Sequence, residues 1–280
     1  MNRRSFCLAV AWCVWLWPAL CGAHPDLERQ ISSLTERLER DPSNSELYFQ
    51  RGELYRFHQD WPAALADFDA VLRLNAHLDK ARLARAETVF ESGQPATAKP
   101  LLDEFLTDHP TNAEALLVRA RTLVALHEYR SAIADYQASL AQQSQPRPEY
   151  YVELAQTLLC ADPVNPAAAV AALDAGLQKI GPVPTLQSLA IDYELSRSNY
   201  PAALARLDAM LTQTSRKEFG LLRRGEILEK AGRKVEARAA YRQALRAVEE
   251  LPAARRHVPA IEELTAKLNA KLEDDHYVDP

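Results

Sequence analysis

Residues 52–72 read GELYRFHQDWPAALADFDAVL, and the pattern they carry decides the fold. Ala64, Phe68 and Leu72 close the stretch at spacings of four, which keeps them on one face of a helix. The trio returns as Ala98, Leu102 and Leu106, as Ala132, Tyr136 and Leu140, and as Ala169, Leu173 and Leu177. Two further copies are Ala203, Leu207 and Leu211, then Ala237, Tyr241 and Leu245. Successive leucines are 34, 34, 37, 34 and 34 residues apart. A fixed period of this length means one supersecondary unit copied end to end.

Ahead of each trio sits a small residue where two helices must come close: Gly52, Ala86, Ala120, Ala155, Ala190 and Gly225. Three residues later comes Tyr55, Val89, Leu123, Leu158, Tyr193 or Leu228. Each unit therefore reads as two helices. One such pair cannot bury its apolar face alone, so stability is expected from stacking. Gly93 and Gly232 fall between paired helices, where left-handed turns are tolerated. Pro62 and Pro201 open second helices, and Pro110 and Pro182 separate units.

These residues resemble the tetratricopeptide repeat family, through Gly52, Tyr55, Trp61, Ala64 and Phe68 and the series that follow them. The resemblance covers about 210 residues, from Asn44 to near Pro252. It implies an all-α, right-handed solenoid of six antiparallel helix pairs with a concave, ligand-binding groove. The units run 44–78, 79–112, 113–147, 148–182, 183–217 and 218–252. Leu27, Ile31, Leu34 and Leu38 make Asp26 to Arg40 an N-terminal capping helix, within 24–43. Ile261, Leu264 and Leu268 make Val258 to Leu272 its C-terminal counterpart, within 253–280, before an acidic tail. Three departures stand out. Unit four has two extra residues in the stretch from Cys160 to Pro166, and unit five has one before Tyr200. Pro100 is expected to kink or delay the second helix of unit two. The polar, proline-bearing run from Gln142 to Pro148 makes the junction of units three and four the expected change of pitch, with a stiff longer loop as the alternative.

The first 23 residues follow a different grammar. Arg3 and Arg4 precede an apolar run from Phe6 to Leu20, and small residues end it at Ala23. That is the layout of a secretory signal peptide, with cleavage expected after Ala23. The exported remainder is expected in the periplasm; an uncleaved inner-membrane anchor and full secretion are the alternatives. The chain of 280 residues has a formal net charge of −5, which becomes about −7 without the leader. A mildly acidic body with no basic stripe gives no electrostatic reason to bind nucleic acid. Only Cys160 of four cysteines would remain, so no internal disulfide framework is expected.

Catalytic signals are missing: there is no phosphate-cradling glycine loop, no glycine-flanked serine and no close histidine pair. The seven histidines read as solvated loop residues. His24, as a new N-terminus, and the tail carboxylates Asp274, Asp275 and Asp279 with His276 make at best a weak metal set, and Cys160 reads as a small hydrophobe. No catalytic residue, metal, cofactor or small-molecule substrate is expected.

In the family that the chain resembles, first helices line the groove. Carried over, the lining is Phe49, Glu53, Leu83, Glu87, Phe90, Leu117, Arg121, Val124, Val152, Gln156 and Leu159. Phe49 with Glu53, and Leu83 with Glu87, stand where some members clamp a chain-end carboxylate with lysine and asparagine. Apolar anchors edged by Glu53 and Glu87 suit a segment with hydrophobic side chains and some positive charge. Packing of several of these apolar residues between adjacent first helices is the alternative. The expected role is a non-enzymatic interaction scaffold of the bacterial cell envelope, holding a protein or peptide. Membrane contact would come only through an uncleaved leader or a membrane-bound partner. The alternative is a structural accessory subunit of a membrane-associated complex, held through the convex face or the caps.

Overall fold

The computed structural model describes residues 25–273; the leader, His24 and the tail residues Asp274, Asp275, His276 and Asp279 lie outside them. The described residues form fifteen helices and no strand. α1 (Pro25–Arg40) precedes six pairs: α2 (Ser45–Phe57) with α3 (Trp61–Leu74), α4 (Asp79–Glu91) with α5 (Pro95–Asp108), and α6 (Ala113–Ala125) with α7 (Tyr129–Gln142). The remaining pairs are α8 (Pro148–Ala161) with α9 (Ala167–Ile180), α10 (Pro184–Ser196) with α11 (Tyr200–Gln213), and α12 (Glu218–Lys230) with α13 (Lys234–Glu249). A single turn, α14 (Ala253–Arg256), and α15 (Pro259–Glu273) follow. The chain is an all-α repeat solenoid. It divides into two compact units, Met1–Ser144 and Gln145–Pro280, within the proline-bearing run after α7.

Local chemistry sets the helix ends. Side-chain oxygens of Asn44, Asp60 and Asn112 accept the amides of Leu47, Ala63 and Ala115 at 3.3, 3.2 and 2.9 Å, capping α2, α3 and α6. Proline opens α3, α5, α8, α10 and α11 in their first turns, where a missing amide donor costs little. In five of the six pairs a three-residue turn joins the helices with its middle residue left-handed. That residue is glycine at Gly93 (φ 81°) and Gly232 (φ 74°), but Gln59 (63°), His127 (61°) and Ser198 (58°) adopt the same backbone.

In the first unit, α1 lays Leu34 and Leu38 on Leu47, closing one end. Ala64 and Phe68 pack with Ala84, and a larger cluster joins Leu83, Ala86 and Val89 to Leu102, Phe105, Ala115 and Val118. In the second unit, Ile191, Leu207, Leu228 and Tyr241 continue into Ile261, Leu264 and Leu268 of α15, which closes the other end. The six small residues of the first helices are all buried. At Gly225 a Cβ would lie 2.1 Å from the Tyr241 ring, and at Gly52 it would lie 2.9 Å from the Phe68 ring. Small residue and large ring share one space.

Depth along the repeat is set by the stacking, and two expectations change. Of the periodic leucines only Leu106 is buried, and the other five are half-buried. The enclosed positions lie one residue earlier, at Val71, Phe105, Ser139, Gly176 and Ala244. Seven helical steps end about 20° from the starting direction, whereas eight overshoot it by about 80°. Pro100 does not delay α5, which starts three residues before Ala98, as α3 starts three before Ala64. Pro100 and Ala96 are exposed, so the carbonyl that loses its partner faces water. The extra residue of unit five lengthens neither the turn before Tyr200, which keeps three residues, nor α10, which has thirteen residues like α2. Ala190 instead sits one residue nearer the helix start than Gly52 does, whereas unit four has a five-residue turn with Val164 85% exposed.

Gly225→Ala is expected to destabilise the chain by roughly 1–3 kcal/mol, because the added methyl overpacks a filled site. Ser198→Gly is expected to stabilise it by roughly 0.5–1 kcal/mol, as relief of left-handed strain outweighs the entropy of glycine. Guanidinium unfolding curves of both variants check these signs.

Candidate partner-binding surface

The first unit's cap and first pair leave an open cleft of about 690 Å³ between α1 and α2. Phe49 and Glu53 face it from α2, with Arg29, Ser33 and Arg37 opposite on α1. Phe49 is half-buried; its ring packs on Phe68 with centroids 5.7 Å apart, and the Lys80 ammonium lies 4.3 Å from its centroid. Lys80 also pairs with Glu46. The anchor is thus packed on Phe68 and covered over its ring by the Lys80 ammonium.

Beside it, one arginine serves three carboxylates. Arg56 donates to Glu53 at 3.1 Å, to Glu87 at 2.9 Å and to Glu91 at 3.2 Å, tying the end of α2 to α4. The second oxygen of Glu53 is buried without a hydrogen-bond partner among the described residues. One positive charge divided three ways does not offset desolvation. Burial therefore pushes the Glu87 carboxyl up to about 7, against the lowering pull of Arg56, while Glu114, Glu91 and Glu53 add to the rise. Glu91 is also raised, with burial again the largest cause.

The structure separates the eleven residues read as a lining. Phe49 and Glu53 share the cleft, and Phe90, Arg121 and Val124 are half-buried on α4 and α6. Leu83, Glu87 and Leu117 are buried, with Leu83 inside the larger core cluster. Such burial matches the alternative of packing within the repeat for these three positions. Val152, Gln156 and Leu159 are half-buried on α8 and belong to the second unit.

Sequence reading passed over Arg56, Lys80 and the 76% exposed Phe57. It also passed over a readable signal, arginine immediately before the small residue at Arg51, Arg85, Arg119 and Arg224. Arg51 grips Asp67 through two bonds of 2.8 and 2.7 Å, and Arg119 grips Asp135 at 2.7 and 2.8 Å. Arg85 and Arg224 reach back to Asp69 and Asp208 of the preceding unit, at 2.7 and 2.8 Å. In units four and five the position holds Leu154 and Leu189.

Among the described residues, no three His, Cys, Asp or Glu side chains gather to hold a metal, and no helix is long and apolar enough to cross a membrane. Cys160 is half-buried and in no disulfide.

Because the folded pKa of Glu87 is raised, its contribution to stability is complete below about 4.5 and is lost as pH rises through about 7. Glu87→Gln should flatten that slope. Unfolding free energies at pH 5 and pH 8 are expected to differ less in the variant than in the parent chain, by roughly 1 kcal/mol or more.

Family models described as tetratricopeptide repeat match residues 89–156 and 189–252. Comparison with curated proteins finds no significant sequence match. Among solved structures, a tetratricopeptide repeat protein of Parabacteroides merdae is 18% identical with a TM-score of 0.53, covering 88% of this chain and 93% of that one. PilF of Pseudomonas aeruginosa is 18% identical with a TM-score of 0.51, over 82% of this chain and 99% of its own. MamA of Desulfovibrio magneticus RS-1 is 18% identical with a TM-score of 0.50, over 54% of this chain and 84% of its own. At such identities the likeness concerns fold. With the matched repeats and the six stacked helix pairs, it makes the chain a member of the tetratricopeptide-repeat family, whose architecture is a scaffold for protein–protein interaction.

Proposed function

We propose that this protein is a non-enzymatic scaffold of the bacterial cell envelope that holds a segment of a partner protein on the first-helix face of its N-terminal unit. The observation that carries this reading is the open cleft beside Phe49, with an aromatic wall, Glu46 and Glu53 on the α2 side and Arg29 and Arg37 opposite. A rigid aromatic seated on a packed core is a good anchor, since little side-chain freedom remains to be lost on binding. Glu46, Glu53 and Glu91 are 53%, 35% and 40% exposed in their side chains, against 23% for Arg56. Lys80 already pairs Glu46, and Arg29 and Arg37 line the opposite wall. Glu53, with one oxygen lacking a partner among the described residues, is therefore the carboxylate that offers a basic side chain of the segment a place beside Phe49. Export to the periplasm rests on the leader layout of residues 1–23.

A photo-cross-linking residue placed in living cells at Phe49, and separately at Phe90, is expected to trap one and the same protein. Phe49→Glu should cut co-purification of that protein at least tenfold, a loss of roughly 1.4 kcal/mol or more. Silence at both positions, with a cross-linker on α13 giving a product instead, would count against the first-helix face. The envelope assignment fails if the protein stays in the cytoplasmic fraction.

A further inference from the structure

The chain's negative total hides a reversal near its C-terminal end. From Arg216 to Arg256 there are twelve Lys and Arg against six Glu and no Asp, a concentration that the reading of a body without a basic stripe overlooked. Some of these cations are spoken for: Arg216 by Glu218, Arg223 by Asp192, Arg224 by Asp208 and Arg233 by Glu236. Lys217, Arg242, Arg246, Arg255 and Arg256 are different. All five are exposed, and among the described residues none has a carboxylate within 4.0 Å.

Two of the five border a recess. A cleft of about 600 Å³ opens between α11 and α13, the second helices of pairs five and six, with α12 contributing to its wall. Leu211, Leu221 and Ala247 supply apolar surface, while Lys217 and Arg246 stand on its rim with Glu250. Arg224 and Asp208 also line it, but they neutralise each other at 2.8 Å. With Thr212 and Gln243 completing the lining, what remains is an apolar patch of Leu211, Leu221 and Ala247 among polar groups, with two cations against one carboxylate at its rim. Arg242 lies one turn before Arg246 on α13, and Arg255 and Arg256 follow on α14, extending the same charge beyond the cleft.

We propose that this cleft is a second docking surface, which takes an acidic polypeptide segment carrying aliphatic side chains. It lies in the C-terminal unit, so it is separate from the cleft beside Phe49 in the N-terminal unit and does not depend on it. Half-buried Leu211 and Leu221 beside unpaired cations match a peptide whose aliphatic groups lie on the leucines while its carboxylates meet Lys217 and Arg246. The unbroken phosphate row of a nucleic acid would meet Glu249 and Glu250 beside Arg246.

The test titrates the full chain into a fluorescein-labelled peptide of alternating Glu and Leu, read by fluorescence anisotropy. Saturable binding is expected, weakening with added salt and falling roughly tenfold or more in the Lys217→Glu, Arg246→Glu double variant. Both positions are exposed, so thermal melts of that variant should match the parent. Phe49→Glu should leave this binding unchanged, which separates failure here from failure of the first-helix reading. Absence of saturable binding, or binding indifferent to the double reversal, overturns the proposal. So does reversal-sensitive binding of phosphatidylglycerol vesicles or duplex DNA where the peptide does not bind.

Discussion

Everything in this molecule depends on how closely the first helix of each pair approaches the second. A glycine or alanine on the first helix leaves a hollow, and a phenylalanine, tyrosine or leucine of the second fills it. Gly225 under Tyr241 and Gly52 under Phe68 are the tightest cases, where even a methyl group has no room. Because every pair uses the same device, each presents a similar apolar flank to the next, and stacking can continue within each compact unit. The array stops where α1 and α15 turn polar outer faces to water, as terminal elements of a repeat protein must.

Charge is arranged on top of this packing. Arginines before the small residues are fixed by aspartates of their own or the preceding second helix, so the guanidinium bridges elements already brought together by apolar contact. Asp67 and Asp135 are nearly enclosed, with side chains 6% and 9% exposed, and fork-to-fork geometry is what makes such burial tolerable. Arg56 is the opposite case. It is shared among Glu53, Glu87 and Glu91, leaves them under-compensated, and so leaves a face of the first unit with acidic character.

The two clefts are charged differently. Glu46 and Glu53 face Arg29 and Arg37 across the cleft beside Phe49, whereas Lys217 and Arg246 stand with Glu250 on the rim of the cleft between α11 and α13. A whole-chain charge is an average over both, and partners respond to local fields rather than to averages.

The period of the sequence determined the class of fold, the six helix pairs and both caps, because spacing along a helix dictates which residues share a face. It also marked Gly52 and Gly225 as places of close approach. What it could not assign was depth. Leu72 and Val71 are both apolar neighbours, and only stacking puts Val71 inside and leaves Leu72 at the edge. Leu83, Glu87 and Leu117 read as groove residues by register, yet all three are buried, and Glu87 is 9% exposed. Ion pairing was equally hidden, since Arg56 meets Glu87 across 31 residues of chain and Arg246 has no carboxylate within 4.0 Å among the described residues. Register is a local property of the chain; burial and charge compensation depend on distances between helices, which exist only once the pairs have stacked.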